Sequence, residues 1–317
     1  MPVDQMAVDQ TAVGVVGLGD IGRGVAGCLR RAGVDLTVCD IRPEAAAAFA
    51  ASSAIGSARV AHSPADLAAT SRVTVVAVVD DDQVRAVVDG PDGLLRASRP
   101  GDTVVVVSTI STATILEVAV TAAVVGVSVV DCGVSGGPGA AADGELVCML
   151  GGDADAVDRV RPVLAVIGTE VLHMGPLGAG LSAKLARNLV QYGSWLAAYE
   201  AQTLAEAAGI DLSQLAEAIR ASDRRIGGAA TLMFRPTAAP LRPDVRTEAG
   251  LIEPMAAAAR LAHKDLRAAI DLGTHLGVAT PTAHLTDALA DAIFGVGEPP
   301  SGVTAGAGET PTGGPEG

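Results

Sequence analysis

Residues 12–17 form a short apolar run ending in glycine, followed at once by Gly17-Leu18-Gly19-Asp20-Ile21-Gly22 and then by residues 21–32 with helical spacing. A strand feeding a Gly-x-Gly-x-x-Gly loop that opens a helix tolerates few architectures. The first glycine permits a tight turn, the second a close backbone approach, and the third close packing of helix on strand. Residues 36–39 read as a second strand, with Asp40 at its end, about twenty residues past the loop.

The rest of the first half continues this alternation. Residues 73–79 and 103–107 are β-branched runs, too continuous for a sheet with one wet face, and they fit parallel strands buried on both faces. Residues 127–131 and 146–150 extend the strand series, while 43–51 and 154–167 read as helices. Strands alternating with helices imply a Rossmann-type doubly wound α/β domain. Near residue 176 the pattern changes. Residues 181–208 contain no proline, and Gly209 is a good terminator for a long helix. The remaining segments read as helices: 212–222, 251–273 (broken or started near Pro254) and 281–294. Residues 235–243 hold three prolines and read as a loop. The expected organisation is a flexible segment over 1–11, a dinucleotide-binding domain over 12–176, an all-helical substrate and oligomerisation domain over 177–296, and a disordered Gly/Pro/Thr-rich tail over 297–317.

Composition narrows the function. A net charge of −14 argues against nucleic acid and anionic membranes as partners, since both demand basic patches. The polar N-terminus is unlike a signal peptide and no apolar run reaches transmembrane length, so a cytoplasmic location is expected. Cys28, Cys39, Cys132 and Cys148 are widely spaced and read as reduced, packed thiols. The five histidines form no ligand-spaced pair, so no metal site is expected.

The glycine loop in this context is a dinucleotide fingerprint. Gly17, Leu18, Gly19, Asp20, Ile21 and Gly22 would bring the helix N-terminus, with its unpaired N–H groups, to a pyrophosphate. Asp40 could accept hydrogen bonds from the adenosine ribose hydroxyls and would repel a 2′-phosphate, which leans the reading to NAD. Arg42 keeps NADP open, because an arginine there could hold that phosphate.

A second small-residue cluster, Asp131-Cys132-Gly133-Val134-Ser135-Gly136-Gly137-Pro138-Gly139, follows a strand. Its backbone amides and the Ser135 hydroxyl suit a carboxylate; a surface loop that merely needs glycine fits the composition equally well. Cation usage adds a further clue. Of 22 basic residues only Lys184 and Lys264 are lysine. Arginine is permanently charged, whereas lysine loses its proton readily on burial, so a chain that otherwise writes arginine keeps lysine where proton chemistry or a compact charge is needed. Lys184 shares a helix face with Asn188, and that face continues through Tyr192, Trp195 and Tyr199, which read as core or subunit-interface residues. Lys264 sits in His263-Lys264-Asp265-Leu266, at the start of a later helical segment, and pairs locally with Asp265.

Four motifs in order, 17–24 (GLGDIGRG), 131–140 (DCGVSGGPGA), 178–188 (GAGLSAKLARN) and 263–266 (HKDL), resemble the β-hydroxyacid dehydrogenases, the group containing 3-hydroxyisobutyrate dehydrogenase and tartronate semialdehyde reductase. The resemblance runs from about residue 12 to 295. It implies that Ser135, Gly136 and Gly137 hold a substrate carboxylate, that Lys184 is the catalytic acid/base, and that Asn188 binds substrate. It further implies that Lys264 lies near the nicotinamide and substrate, that Thr109 contacts the cofactor, and that the Val79-Asp80-Asp81 turn flanks its adenosine end. One departure is Arg187, where the family usually has the first of two tandem asparagines; it could admit a bulkier or more anionic substrate, or face solvent. The Tyr192 region also resembles 6-phosphogluconate dehydrogenase, but Gln191 stands where that enzyme has an acid.

The resulting expectation is an NAD(P)-dependent oxidoreductase acting on a small 3-hydroxy acid or the matching semialdehyde, in a homodimer or homotetramer. An imine reductase on the same scaffold is the rival enzyme reading, and Lys184 counts against it because such relatives commonly carry Asp or Tyr there. A non-catalytic dinucleotide-binding protein is the third, opposed by the retention of Ser135, Lys184, Asn188 and Lys264 together.

Overall fold

The computed structural model describes residues 11–52, 56–229, 231 and 239–298. The chain divides into two compact units, residues 1–188 and 189–317, the division falling inside the helix Ala179–Ala207.

The first unit is built on eight strands: β1 (Val13–Val16), β2 (Leu36–Cys39), β3 (Arg59–Val60), β4 (Val73–Val76), β5 (Thr103–Val106), β6 (Ser128–Ser135), β7 (Leu146–Gly151) and β8 (Gly168–Gly175). They form one sheet in the order β3-β2-β1-β4-β5-β6-β7-β8. Every pairing from β3 through β6 is parallel, β6 pairs with β7 antiparallel, and β7 pairs with β8 in parallel. Strand order reverses at β1, which lies between β2 and β4. All four residues of β1, β2, β4 and β5 are buried, as the continuous β-branched runs of β4 and β5 require. Alternate residues serve opposite faces. Val13, Val15, Val75 and Val105 join one core cluster, and Val16, Val76, Val104 and Val106 join the other. Gly14 faces the helix Pro64–Ala68 so tightly that a Cβ there would lie 2.1 Å from Leu67 Cδ2.

Several elements depart from the sequence expectation. The strand expected over 73–79 ends at Val76, and Val79 is exposed. The expected strand 127–131 runs on to Ser135 because Cys132–Ser135 gain β7 as an antiparallel partner. The glycine cluster is therefore half strand, followed by the helix Gly137–Asp143, and not simply a loop. Pro254 neither breaks nor starts its helix, which is continuous over Arg246–Leu276. The residue four before it is Gly250, so the carbonyl that the proline ring crowds belongs to the least encumbered backbone available. Lys264 accordingly lies inside this helix and not at the start of one. The expectations for residues 1–10, for 235–238 and for 299–317 fall outside the described residues.

The second unit is helical. It holds the end of the helix Ala179–Ala207, then Leu212–Ile226, Arg246–Leu276 and Pro281–Ile293. Gly277, left-handed at φ 69°, ends the third of these, and Pro281 opens the fourth. These two helices pack on each other, and their buried residues are the small Ala259, Gly273, Ala283 and Ala290. The Glu200 carboxylate, itself buried, accepts hydrogen bonds from the Thr282 amide (2.7 Å) and the Ala283 amide (2.9 Å), capping the last helix from the long one.

Candidate active site

The glycines of the first loop divide the labour expected of them. Gly17 adopts φ 90°, and a Cβ there would sit 2.5 Å from the Ala77 carbonyl oxygen. A Cβ on Gly22 would meet the Gly17 carbonyl oxygen at 1.9 Å. Both are thus required by the protein's own packing. Gly19 differs: a Cβ there would meet nothing within 4 Å, and as N-cap of the helix Asp20–Arg31 it supplies no side-chain cap. The first-turn amides are left to whatever occupies that open space, which fits a pyrophosphate.

Asp40 follows β2 and is committed locally. Its Oδ2 accepts from the Leu18 amide at 2.7 Å, and its Oδ1 accepts from the Arg42 amide (2.9 Å) and Nε (3.2 Å). Burial alone would raise its pKa, but the Arg42 and Leu18 hydrogen bonds and the Arg42 charge outweigh that and hold it below the ordinary carboxylate value. Beside it Ile41 is 96% exposed, and Val79, beyond β4, is 80% exposed. The Asp80 carboxylate caps the helix Asp81–Asp89 by accepting from the Gln83 amide at 2.9 Å, so its acid group is spent on its own chain. Past β5, the Ser108 hydroxyl accepts from the Val78 amide (2.9 Å), leaving Thr109 exposed between buried Ser108 and Ile110. Asp81, which the sequence offers only as the last residue of the turn at the adenosine end, fixes this loop. Hydrogen bonds first from the Ser111 hydroxyl (2.6 Å) and then from Thr114 hold its pKa down to about 2.

These segments share one edge. Asp40, the glycine loop, Val79-Asp80, Thr109 and Ser135 follow or end β2, β1, β4, β5 and β6, five consecutive parallel strands. Each sits at a carboxyl end, the edge at which open α/β sheets bind ligands.

At the far end of that edge, strand β6 organises the second cluster. Residues 131, 133 and 135 project from one face. Asp131, fully buried, accepts from the Gly178 amide (2.6 Å) and the Leu181 amide (2.7 Å), pinning the start of the helix Ala179–Ala207 to the strand. Gly133 leaves the notch the helix fills, since a Cβ there would lie 2.5 Å from Lys184 Cβ and 2.6 Å from the Gly180 carbonyl oxygen. Ser135, two residues on, therefore points to the side that carries Lys184. Gly136 (φ 130°) and Gly137 (φ 74°) then turn the chain into the helix Gly137–Asp143. That helix lies against the dinucleotide helix at Gly24, where a Cβ would come within 2.7 Å of the Ala141 backbone, and Cys28 donates its thiol to the Ala141 carbonyl at 3.3 Å.

Lys184 and Asn188 share a helix face, with Arg187 one residue from Asn188. Among the described residues, the Ser135 hydroxyl and the Lys184, Arg187 and Asn188 side chains have no hydrogen-bond or ion-pair partner in the chain. Burial, with the Arg187 charge adding to it, lowers the Lys184 pKa from the ordinary lysine value. Asp131 was missed as the anchor of this helix, although an acid on a strand running into glycines is a visible anomaly. Tyr192, Trp195 and Tyr199, expected in a core or interface, are each at least 59% exposed in the single chain, with Tyr192 and Trp195 packed edge to face.

Lys264 belongs to the helical unit, where it is exposed and pairs with Asp265 at 3.2 Å. It lines a hollow of about 520 Å³ with Arg260, His263, Arg267 and Asp271. Its neighbour His263 donates its Nδ1–H to Asp287 Oδ1 (2.6 Å), which raises the His263 pKa. The four cysteines are free and buried. Among the described residues no group of three His, Cys, Asp or Glu side chains is gathered for a metal, and no helix is long and apolar enough to cross a membrane.

Known proteins match along the whole of this arrangement. The family model described as the NAD binding domain of 6-phosphogluconate dehydrogenase matches residues 12–175. That described as NAD-binding of NADP-dependent 3-hydroxyisobutyrate dehydrogenase matches residues 178–305. An uncharacterized oxidoreductase of Mycobacterium tuberculosis is 40% identical over 265 residues, 83% of this chain and 86% of that protein. A solved oxidoreductase from Mycobacterium avium 104 is similar at TM-score 0.79 and 37% identity, over 91% of this chain and 100% of that one. The 3-hydroxyisobutyrate dehydrogenase of M. tuberculosis, solved with L-serine, gives 0.62 and 27%, over 88% and 92%. The sheet edge, its glycine loop and these matches define a dehydrogenase that uses NAD or NADP. The chain belongs to the β-hydroxyacid dehydrogenase family, whose members oxidise hydroxy acids.

Proposed function

We propose that this protein transfers a hydride between a nicotinamide cofactor and a small 3-hydroxy acid or the matching semialdehyde, with Lys184 as acid/base. The observation that carries the reading is the Gly133 notch, which seats Lys184 on the face of β6 from which Ser135 projects, both side chains unpartnered within the chain. Ser135 and the backbone of Gly136 and Gly137 hold the substrate carboxylate, and Asn188 steadies the substrate from the helix. Lys184, neutral at the start of oxidation, takes the hydroxyl proton; on reduction it returns one to the carbonyl oxygen. The nicotinamide, when bound, supplies the hydride acceptor or donor. The depressed pKa of Lys184 widens the range over which its amine is neutral. Oxidation therefore rises with pH through the Lys184 pKa, below 10.5, and reduction falls through it.

The cofactor is held by the Gly17, Leu18, Gly19, Asp20, Ile21 and Gly22 backbone, with the exposed Ile41 and Val79 offering apolar contact to the flat adenine and Thr109 contact nearer the nicotinamide. NAD is the preferred form, because Asp40 faces the ribose position and has already drawn Arg42 to itself. A lower KM for NADP⁺ than for NAD⁺ would reverse that assignment. Lys264 is assigned to the cofactor and substrate on the family pattern. The exposed Tyr192, Trp195 and Tyr199 support a homodimer or homotetramer, and sedimentation of a monomer at micromolar concentration would remove that part.

Lys184→Arg keeps the charge and removes the titrating amine. Turnover of 3-hydroxy acids should fall by about 10²–10⁴-fold with NADH binding retained. Wild-type turnover in that variant would end the proton-transfer role.

A further inference from the structure

We infer that the substrate carries a second anionic group and that Arg187 binds it. The inference rests on the dehydrogenase reading above and narrows its substrate class. Lys184, Arg187 and Asn188 lie at i, i+3 and i+4 on the long helix, whose first turn Asp131 and Gly133 fix against β6. Arg187 is close enough to Lys184 for its charge to disfavour the ammonium form. Like charges at this spacing destabilise a helix. Arg187 is exposed beside the half-buried Lys184 and Asn188, and among the described residues it has no carboxylate partner, so its guanidinium is available to a ligand. The two cations are not equivalent. Lys184 must shed its charge during oxidation, so it cannot serve as a lasting counter-ion. Arg187 stays charged throughout, and its planar fork suits a carboxylate. The carboxylate of the 3-hydroxy acid, one carbon removed from the reacting carbinol, is already provided for by Ser135, Gly136 and Gly137. A fixed guanidinium on the Lys184 side of the site therefore calls for an anion at the other end of the molecule.

The test uses the full-length enzyme and matched pairs of 2-hydroxymethyl acids whose side chain ends in carboxylate or in methyl: 2-(hydroxymethyl)succinate against 2-(hydroxymethyl)butanoate, and 2-(hydroxymethyl)glutarate against 2-(hydroxymethyl)pentanoate. In at least one pair the wild-type kcat/KM should favour the diacid by about tenfold or more, carried mainly by KM. In Arg187→Gln that ratio should collapse to about one, and Arg187→Lys should recover part of it. Equal kcat/KM within both pairs, or a ratio that survives in Arg187→Gln, overturns the second-anion site while leaving the dehydrogenase reading standing. Failure of every member to react with either NAD⁺ or NADP⁺ overturns the proposed action on 3-hydroxy acids of this type together with the second-anion site.

Discussion

In the unit ending at Asn188, large side chains such as Leu29, Leu36, Leu94, Leu150 and Ile167 are buried to under 2% exposure or close to it, and both faces of the sheet are covered. Among the described residues of the unit from Leu189 onward the buried apolar ones are Ala205, Leu241, Ala259, Ala283 and Ala290, while Leu189, Leu196, Ile226, Leu261 and Leu285 are exposed. The helix Leu212–Ile226 buries nothing. A buried leucine contributes about 1.5–3 kcal/mol, and an alanine far less. The first unit thus rests on hydrophobic volume. The second buries mostly alanine and relies proportionately more on polar fasteners such as Glu200. Both units nevertheless use the same device at a helix start: a buried carboxylate reaching across to two backbone amides, Asp131 in one and Glu200 in the other.

Three substitutions probe that contrast. Asp131→Asn should cost about 2–4 kcal/mol in denaturant unfolding, since it trades a carboxylate serving two buried amides for a group that can accept on one oxygen only. Activity should fall with it as the Lys184 turn loosens, and an unchanged unfolding midpoint would show that hydrophobic volume alone holds the first unit. Gly133→Ala fills the notch and should cost about 1–3 kcal/mol through overpacking. Here kcat should drop while the cofactor KM holds, and wild-type kcat would mean that the seating of Lys184 is not critical. Glu200→Gln should cost about 1–2 kcal/mol. Burial alone would raise the Glu200 pKa, but the amide hydrogen bonds from Thr282 and Ala283 prevail and hold it below the ordinary 4.5. Its stabilisation is therefore complete above that value and is lost as pH falls through the folded pKa. The acid-dependent part of unfolding should shrink in the variant, and identical pH profiles would assign the acid sensitivity elsewhere.

Legibility in the sequence follows the same divide. Strands β4 and β5 are readable because burial on both faces forces unbroken β-branched runs, and β1 and β2 because short apolar runs flank the glycine loop and Asp40. Strand β8, Gly168–Gly175, was not, because its exposed Glu170, Leu172 and Met174 break any such run. The two-residue β3 is exposed and carries no pattern at all. The helix Thr112–Val124 is so rich in Val, Ile and Thr that its composition argues for strand, and only the spacing of Thr114, Ile115, Val118 and Ala122 marks its buried stripe. At the site, glycine motifs and the rarity of lysine announce Ser135, Lys184 and the nucleotide loop. Asp131 and Asp81 stay hidden, because what they do depends on partners far along the chain: Gly178 and Leu181 for one, Ser111 and Thr114 for the other.

Asp131, Gly133 and Ser135 are set out along β6 at the two-residue pleat, so anchor, notch and hydroxyl are three marks on one ruler. Inserting a single residue between the first and last would turn one of them to the opposite side of the sheet. The spacing Asp-x-Gly-x-Ser is thus a reading frame. Chains sharing this fold can be sorted by it: one that keeps the acid and the serine but carries a larger residue between them has to seat its helix, and the lysine on it, elsewhere.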